Sequence, residues 1–180
     1  MSQFLQVNKN IKLIGMALVV LIGLISVASV YAAKIGVKSN LNGIQIPENY
    51  KDWKVLSSSH RTDNNTMRII LGNEIAIEAS RSGKTNPWPQ GTVIGKLVFK
   101  QKTEENWSTA IAPDEFVHAE FMFKDAKLSA SNATGWAWAR WLGKDQVPYG
   151  NEQDLDQSCI ACHAPVKGKD WVFSTPITLP

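Results

Sequence analysis

At 180 residues, 44% of them hydrophobic, the chain is the size of one domain with a substantial core. Its 19 Lys and Arg against 16 Asp and Glu leave a net charge of +3. No basic stripe and no aromatic–basic interleaving runs along it, which excludes a nucleic-acid-binding surface of the usual kind.

In chain order, the first predicted element is a targeting segment. Lys9 and Lys12 form a short basic lead, residues 13–30 carry no charge, and Ala32 and Ala33 close the run with small residues. That pattern predicts a secretory signal cleaved near Ala32 or Ala33. If retained, the apolar run of about 18–21 residues is just long enough to act as a membrane anchor. Either way the remainder is exported, to the periplasm. The chain thus divides into a signal or anchor over 1–33, a polar Gly/Asn-rich tether over 34–46 and a folded domain over 47–180. Cleavage after residue 33 leaves 147 of the 180 residues. It also removes two of the 19 basic side chains, and 17 against 16 acids is close to neutral.

Pro47 opens the domain, and residues 53–56 form a short first element. Residues 61–65 (RTDNN) make a turn, and residues 66–71 (TMRIIL) a strand. Asn73 offers an N-cap to a helix over 74–81, with Ile75, Ala76 and Ala79 at helical spacing and Gly83 suited to the C-cap. Residues 84–91 hold Pro87 and Pro89 around Trp88 and make a loop. Strands follow at 92–100 (TVIGKLVFK), 115–124 (EFVHAEFMFK) and 135–142 (GWAWARWL), then a short helix at 151–163 and a last strand at 171–175. Strands outnumber helices and neighbours can pair antiparallel. The expected fold is mainly β, an antiparallel sandwich-like sheet with two or three short helices.

Cys159, Cys162 and His163 spell C-x-x-C-H, the attachment signature of a c-type haem. On a helix the two thiols stand at i and i+3, on one face, where both can add to the vinyl groups of one porphyrin. His163, four residues after Cys159, can reach the iron from the proximal side. A disulfide would have no need of the histidine. Zinc needs about four nitrogen or sulfur ligands, and beyond the motif only His60 and His118 remain. The expected cofactor is therefore one covalent haem c per chain, with His163 on the metal. For the other side of the iron, Met67, Met122, His60 and His118 are candidates, and none is marked as a ligand. Methionine on a strand is usually core filler, and His60, beside Arg61 in a polar stretch, reads as solvated.

The strands have informative second faces. In EFVHAEFMFK, Val117, Ala119, Phe121 and Phe123 alternate onto a core face, which leaves Phe116, His118, Glu120, Met122 and Lys124 on the other. A solvent face rarely mixes Phe, His and Met in this way; a face lining a haem pocket can. In TVIGKLVFK, Val93, Leu97 and Phe99 make the core face and Lys96 lies opposite, between Ile94 and Val98. Such a lysine is either partly desolvated, which frees its amine as a nucleophile, or reaches past its neighbours to water. Arg68 reads as a surface residue on an edge strand. Trp136 and Trp138 share one face with Arg140, a side that can meet the haem edge or a second subunit, and with Trp141 they make an aromatic strand for which ordinary packing in a core or interface is the favoured reading.

Several further segments carry a pattern in order and spacing: P-x-N-Y-x-x-W (Pro47, Asn49, Tyr50, Trp53), Arg68 in its strand, and G-T-V-x-x-K (Gly91, Thr92, Val93, Lys96). With them come E-x-x-x-K-D (Glu120, Lys124, Asp125), the late C-x-x-C-H and D-x-V-F-S (Asp170, Val172, Phe173, Ser174). Over residues 47–177 the chain resembles the cytochrome P-460 family of exported monohaem proteins, which includes the cytochromes c′-beta. The resemblance implies a β-rich homodimer whose five-coordinate haem is held by His163. In the enzymatic members the lysine matched by Lys96 is cross-linked to the porphyrin, and hydroxylamine is oxidised with nitric oxide and nitrous oxide chemistry. Glu120 matches a distal carboxylate that relays protons, and Arg68 a distal arginine beside the bound ligand. His118 stands outside that pattern and can supply a second base or a sixth ligand. Asn64 and Asn65 stand where relatives carry a phenylalanine.

Three functions are therefore expected candidates. The first is a periplasmic haem protein whose open distal site binds or oxidises small nitrogen species, with electrons leaving to an external acceptor. The second is a gas-binding module that captures nitric oxide or carbon monoxide without turnover. The third is a six-coordinate electron carrier with Met122 or His118 on the iron.

Overall fold

The computed structural model describes residues 37–150, 155–178 and 180. The predicted signal or anchor over 1–33 and the first residues of the helix expected from 151 lie outside them. Six strands, β1 (Lys54–Arg61), β2 (Thr66–Gly72), β3 (Val93–Glu104), β4 (Trp107–Lys124), β5 (Trp136–Leu142) and β6 (Val147–Pro148), form one sheet in sequence order. Every neighbouring pair is antiparallel, so the sheet is a meander built of local connections. Among the described residues two helices accompany it, α1 (Glu74–Arg81) and α2 (Leu155–His163), with 3-10 turns at Tyr50–Asp52 and Ala164–Lys169.

The mainly β expectation holds, and what covers each side of the sheet is specific. The first face carries Ile70, Ile94, Met122, Trp136 and Trp138, packed against Ala76, Ile77 and Ala79 of α1, Trp88 of the loop, and Cys159 and Ile160 of α2. The second carries Leu71, Ala119, Phe121, Ala137, Ala139 and Trp141 under Ile44, Ile46 and Tyr50. The facing layers are helices and irregular chain, where a sandwich would place a second sheet. Residues 37–46, polar enough to read as a tether, supply part of that cover. Ile44 and Ile46 are buried, the Asn40 amide donates to the Arg140 carbonyl at 2.8 Å, and Trp141 Nε1 donates to the Lys38 carbonyl at 3.0 Å.

Helix α1 starts where its cap predicts. Asn73 Oδ1 accepts from the Ala76 amide at 3.0 Å and also from the Val93 amide at 3.1 Å, while Nδ2 donates to the Gly91 carbonyl at 2.8 Å. One side chain thus caps the helix and ties it to the start of β3. The helix closes at Ser82, and Gly83 follows at φ +70° as the expected capping glycine, its amide bonding the Ser80 carbonyl and the Lys84 amide the Ala79 carbonyl. Asn73→Ala removes all three bonds and is expected to lower the unfolding free energy by about 2 kcal/mol, the upper end for a lost cap. Urea unfolding monitored by tryptophan fluorescence measures it.

The strand bounds differ from expectation at three places. β1 runs on to Arg61 through serines that alternate poorly, because β2 supplies a partner for each of them. β3 and β4 extend as a two-stranded arm to Glu104 and Trp107. Its polar sequence and Pro113 argue against a strand, yet both chains pair along its length, with an exposed Lys100–Glu115 ion pair at 2.7 Å across it. Residues 171–175 form no strand. Asp170 and Trp171 adopt left-handed backbone, φ +50° and +66°, and the Trp171 and Val172 amides bond back to Val166 and Lys169.

Alternation along β4 holds from His118 onward. Phe116 is the exception: a register shift at Val117 pairs it with Phe99. That bulge turns Phe116 to the second face, where its ring meets the Phe99 ring edge-on at 5.5 Å.

Candidate functional site

Helix α2 ends in Cys159, Cys162 and His163. Both thiols are free; Cys159 is partly buried and Cys162 exposed. Burial, with the Glu120 charge adding to it, pushes the Cys159 thiol up to about 11. His163 Nδ1 lies 2.7 Å from the Trp171 carbonyl. A carbonyl only accepts, so Nδ1 carries the proton and Nε2 keeps its lone pair, the arrangement of a metal-ligating histidine. The Phe173 ring stands edge-on to the imidazole at 5.0 Å and the Trp138 ring lies at 6.1 Å. Burial lowers the imidazole below its ordinary value, against the opposing effect of the Trp171 hydrogen bond.

On the sheet face beneath, strand register gathers charge. Lys96 on β3, Glu120 on β4 and Arg140 on β5 are direct cross-strand partners, so they project from one row. Glu120 is the hub: Lys96 Nζ contacts Oε2 and Arg140 Nη2 contacts Oε1. His118, two residues back on the same face, brings Nε2 to 3.3 Å from Oε1. Burial alone would raise the Glu120 carboxyl. The His118 hydrogen bond and the Lys96 and Arg140 charges outweigh it and hold the group well below the usual carboxylate range.

Arg68 occupies the adjacent row, paired with Val98. It lies on an interior strand, not an edge, because β1 continues beside it. Burial, then the Arg61 charge, lowers its guanidinium, and Glu120 opposes. Arg68 Nε is buried and has no hydrogen-bond partner, and the same is true of Trp136 Nε1 and Trp138 Nε1. Three orphan donors associated with this face, beside a C-x-x-C-H helix, fit a site that a polar-edged prosthetic group completes. Among the described residues no cluster of three or more His, Cys, Asp or Glu side chains could hold a metal by itself. A haem iron draws four ligands from its porphyrin and needs only His163 from the chain. The residues present therefore fit a haem.

The other iron-ligand candidates separate. Met122 is a core residue, 8% exposed. Met67 and His60 are cross-strand partners one residue out of phase with Arg68, which turns them to the face away from Cys159. His60 is exposed and bonds Gln101 Oε1 at 2.5 Å. Of these candidates only His118 contacts the charged row, through Glu120.

Arg140 was not among the expected site residues, although its strand face, shared with Trp136 and Trp138, was a candidate to meet the haem edge. A charged residue between Trp138 and Trp141 on a buried strand was its signal. The carbonyl of Trp171 has no sequence signal, since backbone conformation aims it. Two clefts of about 530 and 430 Å³ lie elsewhere, one beside α1 (Trp53, Glu74, Arg81) and one on the second face (Tyr50, Leu97, Phe116). Neither includes Glu120 or His163. Among the described residues no helix is long and apolar enough to cross a membrane.

A search of curated proteins returns no match to the chain. A family model described as Cytochrome P460 matches residues 47–174, which span the whole sheet, α1, α2 and the turn that carries Trp171. The chain belongs to the cytochrome P460 family of c-type haem proteins.

Proposed function

We propose that Cys159 and Cys162 hold one haem c covalently, with His163 as its proximal ligand. Arg68, Lys96 and Glu120 then face a small nitrogen species, hydroxylamine or nitric oxide, at an open distal position. Export to the periplasm, a homodimer and an external electron acceptor belong to the same reading. The observation that carries it is the Lys96–Glu120–Arg140 row, with His118 and Arg68 beside it, on the sheet face against which Cys159 packs.

When bound, the haem supplies an iron that holds the nitrogen ligand and a route for its electrons. The chain's own residues do the rest. Arg68 has a buried Nε–H without a protein acceptor, so it can donate to an oxygen or nitrogen atom of the ligand in a site of low dielectric. Glu120 takes a proton poorly while Lys96, Arg140 and His118 crowd its oxygens. Withdrawal of Lys96 removes one cation and lets the carboxyl rise toward the range in which it works as a base. His118 Nε2, 3.3 Å away, offers the proton a second acceptor.

A second reading, capture of nitric oxide or carbon monoxide without turnover, is favoured by one contact. Lys96 Nζ is engaged by the Glu120 carboxylate, and an amine so engaged is not a free nucleophile for a porphyrin cross-link. The absorption spectrum of the purified ferrous protein separates the readings. A strongly red-shifted Soret band is expected for the cross-linked enzyme, and Lys96→Ala should abolish that shift. An ordinary high-spin spectrum supports the gas binder. A sharp low-spin spectrum would support the electron carrier and overturn the open distal position.

A further inference from the structure

Lys124 and Asp170, two residues of the motifs that the charged row does not use, form an ion pair of their own. Lys124 Nζ lies 2.7 Å from Asp170 Oδ1 and 2.8 Å from Oδ2, with the two side chains 9% and 10% exposed. A pair so well buried is seldom more stabilising than apolar residues of the same volume, so its position needs another explanation.

The surroundings give one. The Trp88 amide donates to Asp170 Oδ2 at 2.8 Å, and the Lys124 ammonium stands 5.0 Å from the centre of the Trp136 ring. Asp170 is thus fixed from the sheet and from the Trp88 loop at once. Both Asp170 and Trp171 hold left-handed backbone, which an aspartate tolerates but a bulky tryptophan keeps only where the surroundings impose it. Its product is the direction of the Trp171 carbonyl, which lies 2.7 Å from His163 Nδ1. If Asp170 were released, both residues would relax toward ordinary φ values and that carbonyl would swing from the imidazole.

We propose that the Lys124–Asp170 pair positions the proximal histidine, by clamping the left-handed turn whose carbonyl fixes the tautomer and plane of His163. This rests on the assignment of His163 as proximal ligand. The pair acts through the Trp171 carbonyl and touches neither the ligand nor the iron. Its effect is on the basicity of the coordinating nitrogen, because a firm Nδ1–H···O bond gives Nε2 more donor strength.

The test is resonance Raman spectroscopy of the ferrous holoprotein, read at the iron–histidine stretching band. Asp170→Asn keeps an acceptor for Trp88 and a residue that tolerates left-handed backbone, but removes the charge that holds Lys124. Lys124→Met/Asp170→Asn removes both charges, leaves no unpaired buried ion, and decides the matter alone if the single variant does not fold. Both are expected to move the band to lower frequency. Lys100→Gln, which breaks the exposed pair with Glu115, should leave it in place. A band at the wild-type frequency in the folded variants would make the pair a strut only and sink the positioning role. A wild-type protein with no band that disappears in His163→Gly would overturn the proximal assignment itself, and the positioning role with it.

Discussion

The Cys159→Ser/Cys162→Ser protein is expected to carry no covalently held haem, the largest single effect available in this chain. The two thiols lie at i and i+3 on α2, on one side of the helix. In the proposed attachment each thiol would add across one vinyl group of the haem, the sulfur to one carbon and the hydrogen to its neighbour, so no oxidant would be required. The partly buried Cys159 thiol is pushed up to about 11 and stays protonated at neutral pH, unlike a cysteine poised for disulfide exchange. Serine fits the same space but cannot form the thioether. The measurement is intact mass together with haem staining on a denaturing gel. Wild-type chain should retain the haem mass, either single variant should retain it through one bond, and the double variant should lose it. A double variant that kept the haem under denaturation would place the attachment elsewhere. His163→Gly should keep the haem and lose the iron–histidine band.

Much of this molecule is legible from local chemistry. Asn73 before an apolar-periodic run is enough to place α1, because a cap acts on its own next turn. The alternation of Ala119, Phe121 and Phe123 against Glu120 and Met122 sorts the two faces of β4, because a pleated strand allows nothing else. Five residues of C-x-x-C-H specify a chemistry with no need of the fold. What was not legible depends on pairing partners. The bulge at Val117 that carries Phe116 to the other face arises from a register shift against β3. The polar arm exists because two weak strands are held side by side by a short turn. Residues 171–175 have strand-like composition, but the Trp171 and Val172 amides bond to the turn that serves His163. Arg140 joins Glu120 through cross-strand register alone.

Glu120→Gln is the second large effect, and its sign follows from the charges around it. The substitution keeps the shape and leaves the Lys96 and Arg140 cations facing each other on either side of a neutral amide. Breaking one partner out of a fully buried pair costs roughly 3–5 kcal/mol. Lys96 and Arg140 are 30% and 33% exposed, so solvent screens part of that, and about 2 kcal/mol is expected at neutral pH. Because the folded carboxyl is held below its ordinary value of 4.5, the unfolded chain binds the proton first as pH falls. The stabilisation is therefore fully present above that value and is lost as pH drops below it toward the folded one. Urea unfolding of both proteins at pH 7 and at steps down to pH 3 should show a gap that is constant at the upper end and narrows at the lower. A gap that stayed constant to pH 3 would mean that the carboxylate is not stabilised by its neighbours. Lys96→Ala removes one of those neighbours, so the folded carboxyl rises and the low-pH end of the same acid limb should move to higher pH. That movement is the condition for Glu120 to accept protons from a bound nitrogen species near neutral pH. A limb that does not move assigns the depression to Arg140 and His118, and leaves the proton to His118.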